Sequence, residues 1–281
     1  MKRVVLRPDD GVDLQIHTVY SDGHWLPDQL FGYLRDAGFR LVAITDHDTC
    51  AHVEELQRLG AANGIVVIPA MEVTTDWHGA SAHLLCFAPD GFGSRLPALA
   101  NGIVARQRQN TRDVYHELLR RGYEFPRLED VLGGLRGPVR PADNEILLRA
   151  HDYVPDMTSA FALITDAGYR QMTVPLRDAA DAAHEAGALA VIAHPGRGEG
   201  EIHRYELDEL SAMLDDVPLD GVEVYYPKHT PEQVADFEGL AARRGLLVSA
   251  GSDSHGPDQR LPIRYEATLV ANLLARCGVL V

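Results

Sequence analysis

Leu176 to Arg197, LRDAADAAHEAGALAVIAHPGR, contains one complete unit of this chain's construction. From Leu176 to Ala186 apolar residues recur at three- and four-residue spacing and the run stops at Gly187, which is how an amphipathic helix ends. A short apolar run, Leu189 to His194, follows and reads as a buried strand that closes on a histidine. Working outward, strand-like runs recur at Val12 to His17, Leu41 to Thr45, Ile65 to Val73, His83 to Phe87, Gly221 to Tyr226 and Leu246 to Gly251, with a last one expected at Glu266 to Val270. Helix-like stretches at Pro27 to Ala37, Ala51 to Asn63 and Pro231 to Arg243 lie between them. Alternation of this kind predicts an α/β fold with parallel strands joined by crossover helices.

From about Ser94 to Val174 the rhythm breaks into helical stretches with no convincing strand, punctuated by Gly133-Gly134 and Gly137-Pro138. We therefore expect one α/β barrel over residues 1–93 and 175–281, with a helical insertion subdomain over residues 94–174. No internal repeat or low-complexity tract competes with that reading.

The formal charge of -15 argues against non-specific wrapping of long duplex nucleic acid, which needs a basic face to displace counterions. Residues 95–149 differ from the rest: ten Arg against seven acids suit a compact phosphorylated substrate better than a long polyanion. Cys50, Cys86 and Cys277 have no paired spacing and read as buried thiols. The N-terminal run from Met1 is too short for a signal peptide and no segment approaches a membrane span, so a cytoplasmic protein is expected. Oligomeric state is not legible.

The residue types that bind metals fall at strand ends: His17 and Asp22, Asp46-His47-Asp48, Glu72, His83, His194, and Asp253 with His255. In a parallel barrel the strand C-termini open on one face, so residues spread along the chain can meet there. A lone histidine carries little information, but five of the thirteen stand at strand ends beside Asp or Glu. His24, His52, His78, His116, His151, His184 and His203 lack that setting and read as structural or surface residues. His229 follows a strand without a nearby carboxylate and is a candidate substrate contact. Imidazole mixed with carboxylate suits zinc, manganese or iron.

Five runs carry a resemblance: Asp13 to Gly23 (DLQIHTVYSDG), Ile44 to Asp48 (ITDHD), Glu72-Val73, Ala193 to Arg197 (AHPGR) and Gly251 to Gly256 (GSDSHG). In this order they resemble the successive motifs of the PHP (polymerase and histidinol phosphatase) family across almost the whole chain. The closest likeness is to the branch that hydrolyses nucleotide phosphates and the 5' ends of short RNA. The resemblance implies a distorted (β/α)7 TIM-like barrel binding two to three divalent metal ions (Mn, Zn or Fe). It implies one ion at Gln15, His17, Glu72 and Asp253, a second at Glu72, His83 and His194, and a third at Asp22, His47 and His255. By the same likeness Asp22, His47, His194 and Asp253 are the catalytic positions, a hydroxide shared between metals attacks phosphorus, and Arg197 and Arg140 grip phosphate oxygens.

Two departures stand out. Gln15-Ile16-His17 occupies the place of a His-x-His pair, and an amide oxygen replaces an imidazole nitrogen. Arg140-Pro141-Ala142 stands where related phosphoesterases carry Arg-Pro-His. The function expected is hydrolysis of a phosphomonoester on a small nucleotide-like substrate. The alternatives are a 5'-3' exoribonuclease on short RNA, a histidinol-phosphate phosphatase, and a catalytically degenerate metal- or phosphate-binding barrel.

Overall fold

The computed structural model describes residues 4–198 and 203–281, so the first three residues of the N-terminal run lie outside it. The elements in chain order are β1 (Val4–Val5), β2 (Gly11–Ile16), α1 (Pro27–Asp36), β3 (Phe39–Ile44), α2 (Val53–Ala62), β4 (Val66–Trp77), β5 (Ala80–Phe87) and α3 (Arg95–Arg120). There follow α4 (Leu128–Val131), α5 (Pro141–Ala150), α6 (Met157–Asp166), β6 (Val174–Pro175), α7 (Leu176–Glu185), β7 (Leu189–Ile192) and α8 (Leu207–Asp216). The last are β8 (Gly221–Tyr225), α9 (Pro231–Arg244), β9 (Leu247–Ala250), β10 (Tyr265–Glu266), α10 (Ala271–Arg276) and β11 (Val279–Leu280). The chain divides into two compact units, Met1–Ala100 with Thr173–Val281, and Asn101–Met172.

In the first unit β1 and β11 pair as a separate two-stranded sheet, and the other strands form one sheet in the order β10-β2-β3-β4-β5-β7-β8-β9, with β6 beside β4. The sheet curls until its ends nearly meet: Asp253 N donates to Gln15 O and His17 N to Ser254 O, both at 2.9 Å. The result is a nearly closed, barrel-like α/β sheet. Its interior floor is apolar, built from residues such as Leu14, Leu41, Ala70, Phe87, Val191 and Ala250, and closed below by Val270, Leu273 and Leu274. Truncating a fully buried member such as Leu14 to alanine costs about 2 to 5 kcal/mol.

The all-parallel expectation is corrected by β5, which runs antiparallel to both β4 and β7. The gap between Val73 and His83 is too short for a crossover helix. Instead His78 and Gly79, with φ of 53° and 82°, make a two-residue hairpin turn. His83 accordingly lies in the first half of its strand. The expected last strand is also corrected: only Tyr265–Glu266 pairs, and Ala267–Val270 is a 3-10 turn. Ala267 N and Thr268 N there donate to Asp10 O and Pro8 O rather than to a strand.

In β2 the register with β3 shifts between Asp13 and Ile16. Val12 and Leu14 belong to the interior floor, whereas Ile16 packs with Val42, Ile44 and the helices α1 and α2. One extra residue thus reverses the alternation, and Gln15 and His17 point inward above the floor. The helix α8 was not read from the sequence; at its start Glu206 N donates to Glu209 Oε2 at 3.0 Å. Helix α9 starts at Thr230, whose side chain caps Gln233 N, and ends at Gly245 with φ 66°.

The second unit has a core of Val114, Leu118, Leu147, Leu148 and Ile164 with flanking aromatics. Cys86 and Cys277 are buried thiols, and Cys50 is half-buried. Among the described residues no helix is long and apolar enough to cross a membrane.

Candidate metal centre

Above the apolar floor the interior turns polar. Glu72 is fully buried at its centre. Its Oε2 lies 3.0 Å from His17 Nε2 and accepts from Gln15 Nε2 at 2.8 Å. Its Oε1 lies 2.9 Å from His83 Nδ1 and 3.1 Å from His194 Nε2. The hairpin explains the meeting: His83 sits opposite Thr74, so Glu72 is its diagonal neighbour on the same face. Asp253 Oδ1 lies 3.2 Å from His17 Nε2, and its Oδ2 takes hydrogen bonds from Arg197 Nη1 at 2.9 Å and Tyr226 OH at 3.3 Å. Asp22 faces His255 Nε2 at 3.3 Å, His17 Nδ1 at 3.7 Å and His47 Nε2 at 4.0 Å. The His17 ring stacks between those of His47 and His255, with centroids 4.7 and 4.3 Å away.

The supporting structure is as specific as the ligand-type residues. Asp46 accepts from Thr18 N at 2.7 Å, Thr18 Oγ1 at 2.8 Å and Ser21 Oγ at 2.7 Å, and so shapes the loop that presents Asp22. Gly23 belongs to that turn: a Cβ there would come within 2.7 Å of the His17 carbonyl carbon and oxygen. Asp48 accepts from Thr74 N and Oγ1, tying the end of β3 to β4. Asp46 and Asp48, grouped with His47 on sequence, therefore act as clamps. Asp13 is fully buried and accepts from Gln15 N, Ser252 N and Ile263 N at 3.2, 2.9 and 3.0 Å. Glu223, also fully buried, accepts from His194 N at 2.8 Å. Asp48, His194 and Asp253 have φ of 53°, 28° and 53°, so three side chains of the site stand on left-handed backbone.

These residues fit divalent cations. Three groups bring ligand atoms within 4.8 Å of one another: His17, Asp22, His47 and His255; His47, Glu72 and His83; and His17, Glu72 and Asp253. Among the described residues both ring nitrogens of His17 and of His83 lack an aligned hydrogen bond, although carboxylate oxygens lie 3.0 and 3.2 Å from His17 Nε2 and 2.9 Å from His83 Nδ1. Lone pairs converging without hydrogen-bond alignment are what a shared cation requires. Burial pushes His47 down to about 4, against the raising effect of Glu72 and Asp22, which keeps its imidazole neutral as metal ligation demands. Burial opposes the charge on Glu72, but His47, His17, His194 and His83 together hold it below the usual carboxylate range.

Over 262 residues the chain is 29% identical to phosphoribosyl 1,2-cyclic phosphate 1,2-diphosphodiesterase of Eggerthella lenta, covering 89% of this chain and 96% of the relative. It is 29% identical to 3',5'-nucleoside bisphosphate phosphatase of Chromobacterium violaceum, covering 89% and 88%. The 5'-3' exoribonuclease Rnm of Salmonella typhimurium is 28% identical, with 87% and 85% covered. A solved Bifidobacterium adolescentis structure described as a metal-dependent phosphoesterase superposes with a TM-score of 0.77 at 28% identity, over 96% of this chain and 97% of that one. The chain is a metal-dependent phosphoric ester hydrolase, similar to phosphoesterases of the PHP type. No protein-family model matches it.

In this phosphoesterase the sequence-derived positions sort clearly. Gln15, His17, Asp22, His47, Glu72, His83, His194, Asp253 and His255 form one connected cluster. Arg197 joins it through Asp253. Arg140 lies in the second unit, where Nε and Nη2 donate to Asp143 Oδ1. His229, expected to contact substrate, is instead buried with Nδ1 at 2.8 Å from Val224 O and Nε2 accepting from Gly196 N at 3.1 Å. Both nitrogens are spent on backbone, so the ring fixes the loop bearing His194 and Arg197. Of the histidines set aside, His184 pairs through Nε2 with Asp220 Oδ2 at 2.8 Å.

Tyr226, Arg260, Glu223 and Asp13 were missed. Tyr226 and Arg260 reach the site from loops without a distinctive pattern, and a buried acid within a strand gives no periodic signal.

Proposed function

We propose that this phosphoesterase hydrolyses a phosphomonoester of a small nucleotide-like substrate. The observation that carries the reading is the buried Glu72 carboxylate, whose Oε2 faces side-chain nitrogens of Gln15 and His17 from the end of β2 and whose Oε1 faces those of His83 and His194 from β5 and the end of β7. A carboxylate so placed can serve two cations at once. Gln15, His17, Glu72 and Asp253 would hold one divalent ion, Glu72, His83 and His194 a second, and Asp22, His47 and His255 a third, drawn from manganese, zinc or iron. Such ions supply Lewis acidity and lower the pKa of water, which makes hydrolysis feasible near neutral pH. Arg197 contributes charged donors for phosphate oxygens, and the Glu223 and His229 contacts hold its loop in place.

The nucleotide-like substrate draws support from the relatives, whose names cover a nucleoside bisphosphate phosphatase, a cyclic phosphate diesterase and an exoribonuclease. The net charge of -15 disfavours a long polyanion. We read the sheet as a distorted (β/α)7 barrel of β2, β3, β4, β5, β7, β8 and β9, residues 94–174 as an insertion, and the cytoplasm as the location. The test is elemental analysis combined with phosphate release from nucleoside mono- and bisphosphates, short 5'-phosphorylated RNA and histidinol phosphate. Two to three ions per chain with selective release from a small nucleotide is the expected outcome. Preference for RNA would favour the exoribonuclease instead, and absence of both metal and turnover would overturn the proposal.

A further inference from the structure

Arg260 lies beside the metal-binding cluster but outside every motif. Its Nη1 donates to Ser252 O at 2.7 Å and lies 3.5 Å from Tyr226 OH and 4.0 Å from Asp253 Oδ2. Its guanidinium carbon stands 5.3 Å from the centre of the Tyr226 ring, and that ring lies 5.3 Å from His194. The anchor is firm. Ser252 N is held by the buried Asp13, and the Arg260 carbonyl accepts from Ser254 Oγ on the segment that bears Asp253. The side chain is about a quarter exposed, and among the described residues its Nε and Nη2 make no hydrogen bond. Arg197 approaches the same Asp253 oxygen at 2.9 Å from another loop. The two guanidinium groups therefore present nitrogens no more than about 7 Å apart, which one phosphoryl group can span through two of its oxygens.

We propose that Arg260 is a substrate-binding residue that, with Arg197, grips the terminal dianionic phosphoryl group. The inference deepens the proposed function and rests on it for the identity of the substrate. With Nη1 anchored, the remaining guanidinium N–H groups of Arg260 are donors beside the cluster whose complement is an anion.

The experiment compares wild type, Arg260→Ala and Arg260→Lys in metal-loaded protein. It measures steady-state turnover of the preferred phosphomonoester, binding of inorganic phosphate by calorimetry, and metal content. Arg260→Ala should raise KM and the phosphate Kd about 10- to 100-fold, with kcat within a few-fold and metal content unchanged. Arg260→Lys should recover part of the loss, since it keeps the charge without the planar fork. Unchanged KM and phosphate Kd in Arg260→Ala would overturn the inference, as would metal loss in step with weaker binding in both variants, which would mark a scaffold residue. If wild type hydrolyses no phosphomonoester yet binds phosphate in an Arg260-dependent way, the proposed function fails and this inference stands.

Discussion

Asp13 offers a test of how the site is held. It is fully buried, and its carboxylate accepts three backbone N–H groups: Gln15 and Ser252 on Oδ1, Ile263 on Oδ2. Two of these belong to the segment that follows β9 and bears Asp253, so one side chain from β2 closes the sheet where its ends meet. Asp13→Ala strands three donors away from solvent. At about 1 to 3 kcal/mol for each buried unsatisfied group, and allowing for partial rescue by an entering water, the loss should be about 3 to 5 kcal/mol. Asp13→Asn keeps one acceptor oxygen for Gln15 and Ser252 but turns an NH2 toward Ile263 N, so roughly one bond is lost, about 1 to 3 kcal/mol. Urea unfolding of the metal-free proteins, followed by tryptophan fluorescence and far-UV circular dichroism, measures both values against wild type. A loss below about 1 kcal/mol for Asp13→Ala, or an asparagine variant no more stable than the alanine one, would refute the reasoning.

Other consequences can be checked with purified variants. His194→Ala and Asp253→Ala should each lose bound metal and activity, whereas His184→Ala, which forfeits a contact to Asp220, should retain both; equal losses in all three would dissolve the ligand assignment. Gly23→Ala should reduce metal content at least several-fold, because its Cβ would meet the His17 backbone at 2.7 Å and displace the turn presenting Asp22; elemental analysis and melting temperature report it. Burial holds His229 down at about 4, so its neutral form stabilises the fold fully above about 6.5 and that contribution fades as pH falls toward 4. The stability gap between wild type and His229→Asn should therefore narrow from pH 8 to pH 4.5, and a constant gap in urea titrations would contradict the buried neutral ring.

Alternation of apolar strand runs with amphipathic stretches was enough to read an α/β sheet, and metal-ligand residue types at strand ends were enough to read a metal centre. Both signals are local, because burial imposes a period on a strand or a helix wherever it packs. The motif around His17 shows where local reading stops. That Gln15 and His17 share a face follows from their spacing, but that this face is the interior depends on the register shift between Asp13 and Ile16, a property of pairing with β3. His83 repeats the lesson. Sequence grouped it with the ligand types on a strand assumed parallel; the turn at His78-Gly79 reverses that strand, and only the reversed register sets His83 diagonal to Glu72.

Residue identity alone therefore determined the chemical repertoire: imidazoles and carboxylates for cations, arginines for an anion, and an overall charge unsuited to long nucleic acid. The roles within that repertoire came from distant contacts. Asp46 and Asp48 proved to be clamps and His229 a loop fastener, while Arg260 and Tyr226 arrived at Asp253 from loops that carry no period. A side chain's chemistry belongs to its own atoms, but whether it meets a metal, a substrate or a backbone N–H depends on strands and loops far away in the chain. That assignment of partners exists only once the sheet has closed.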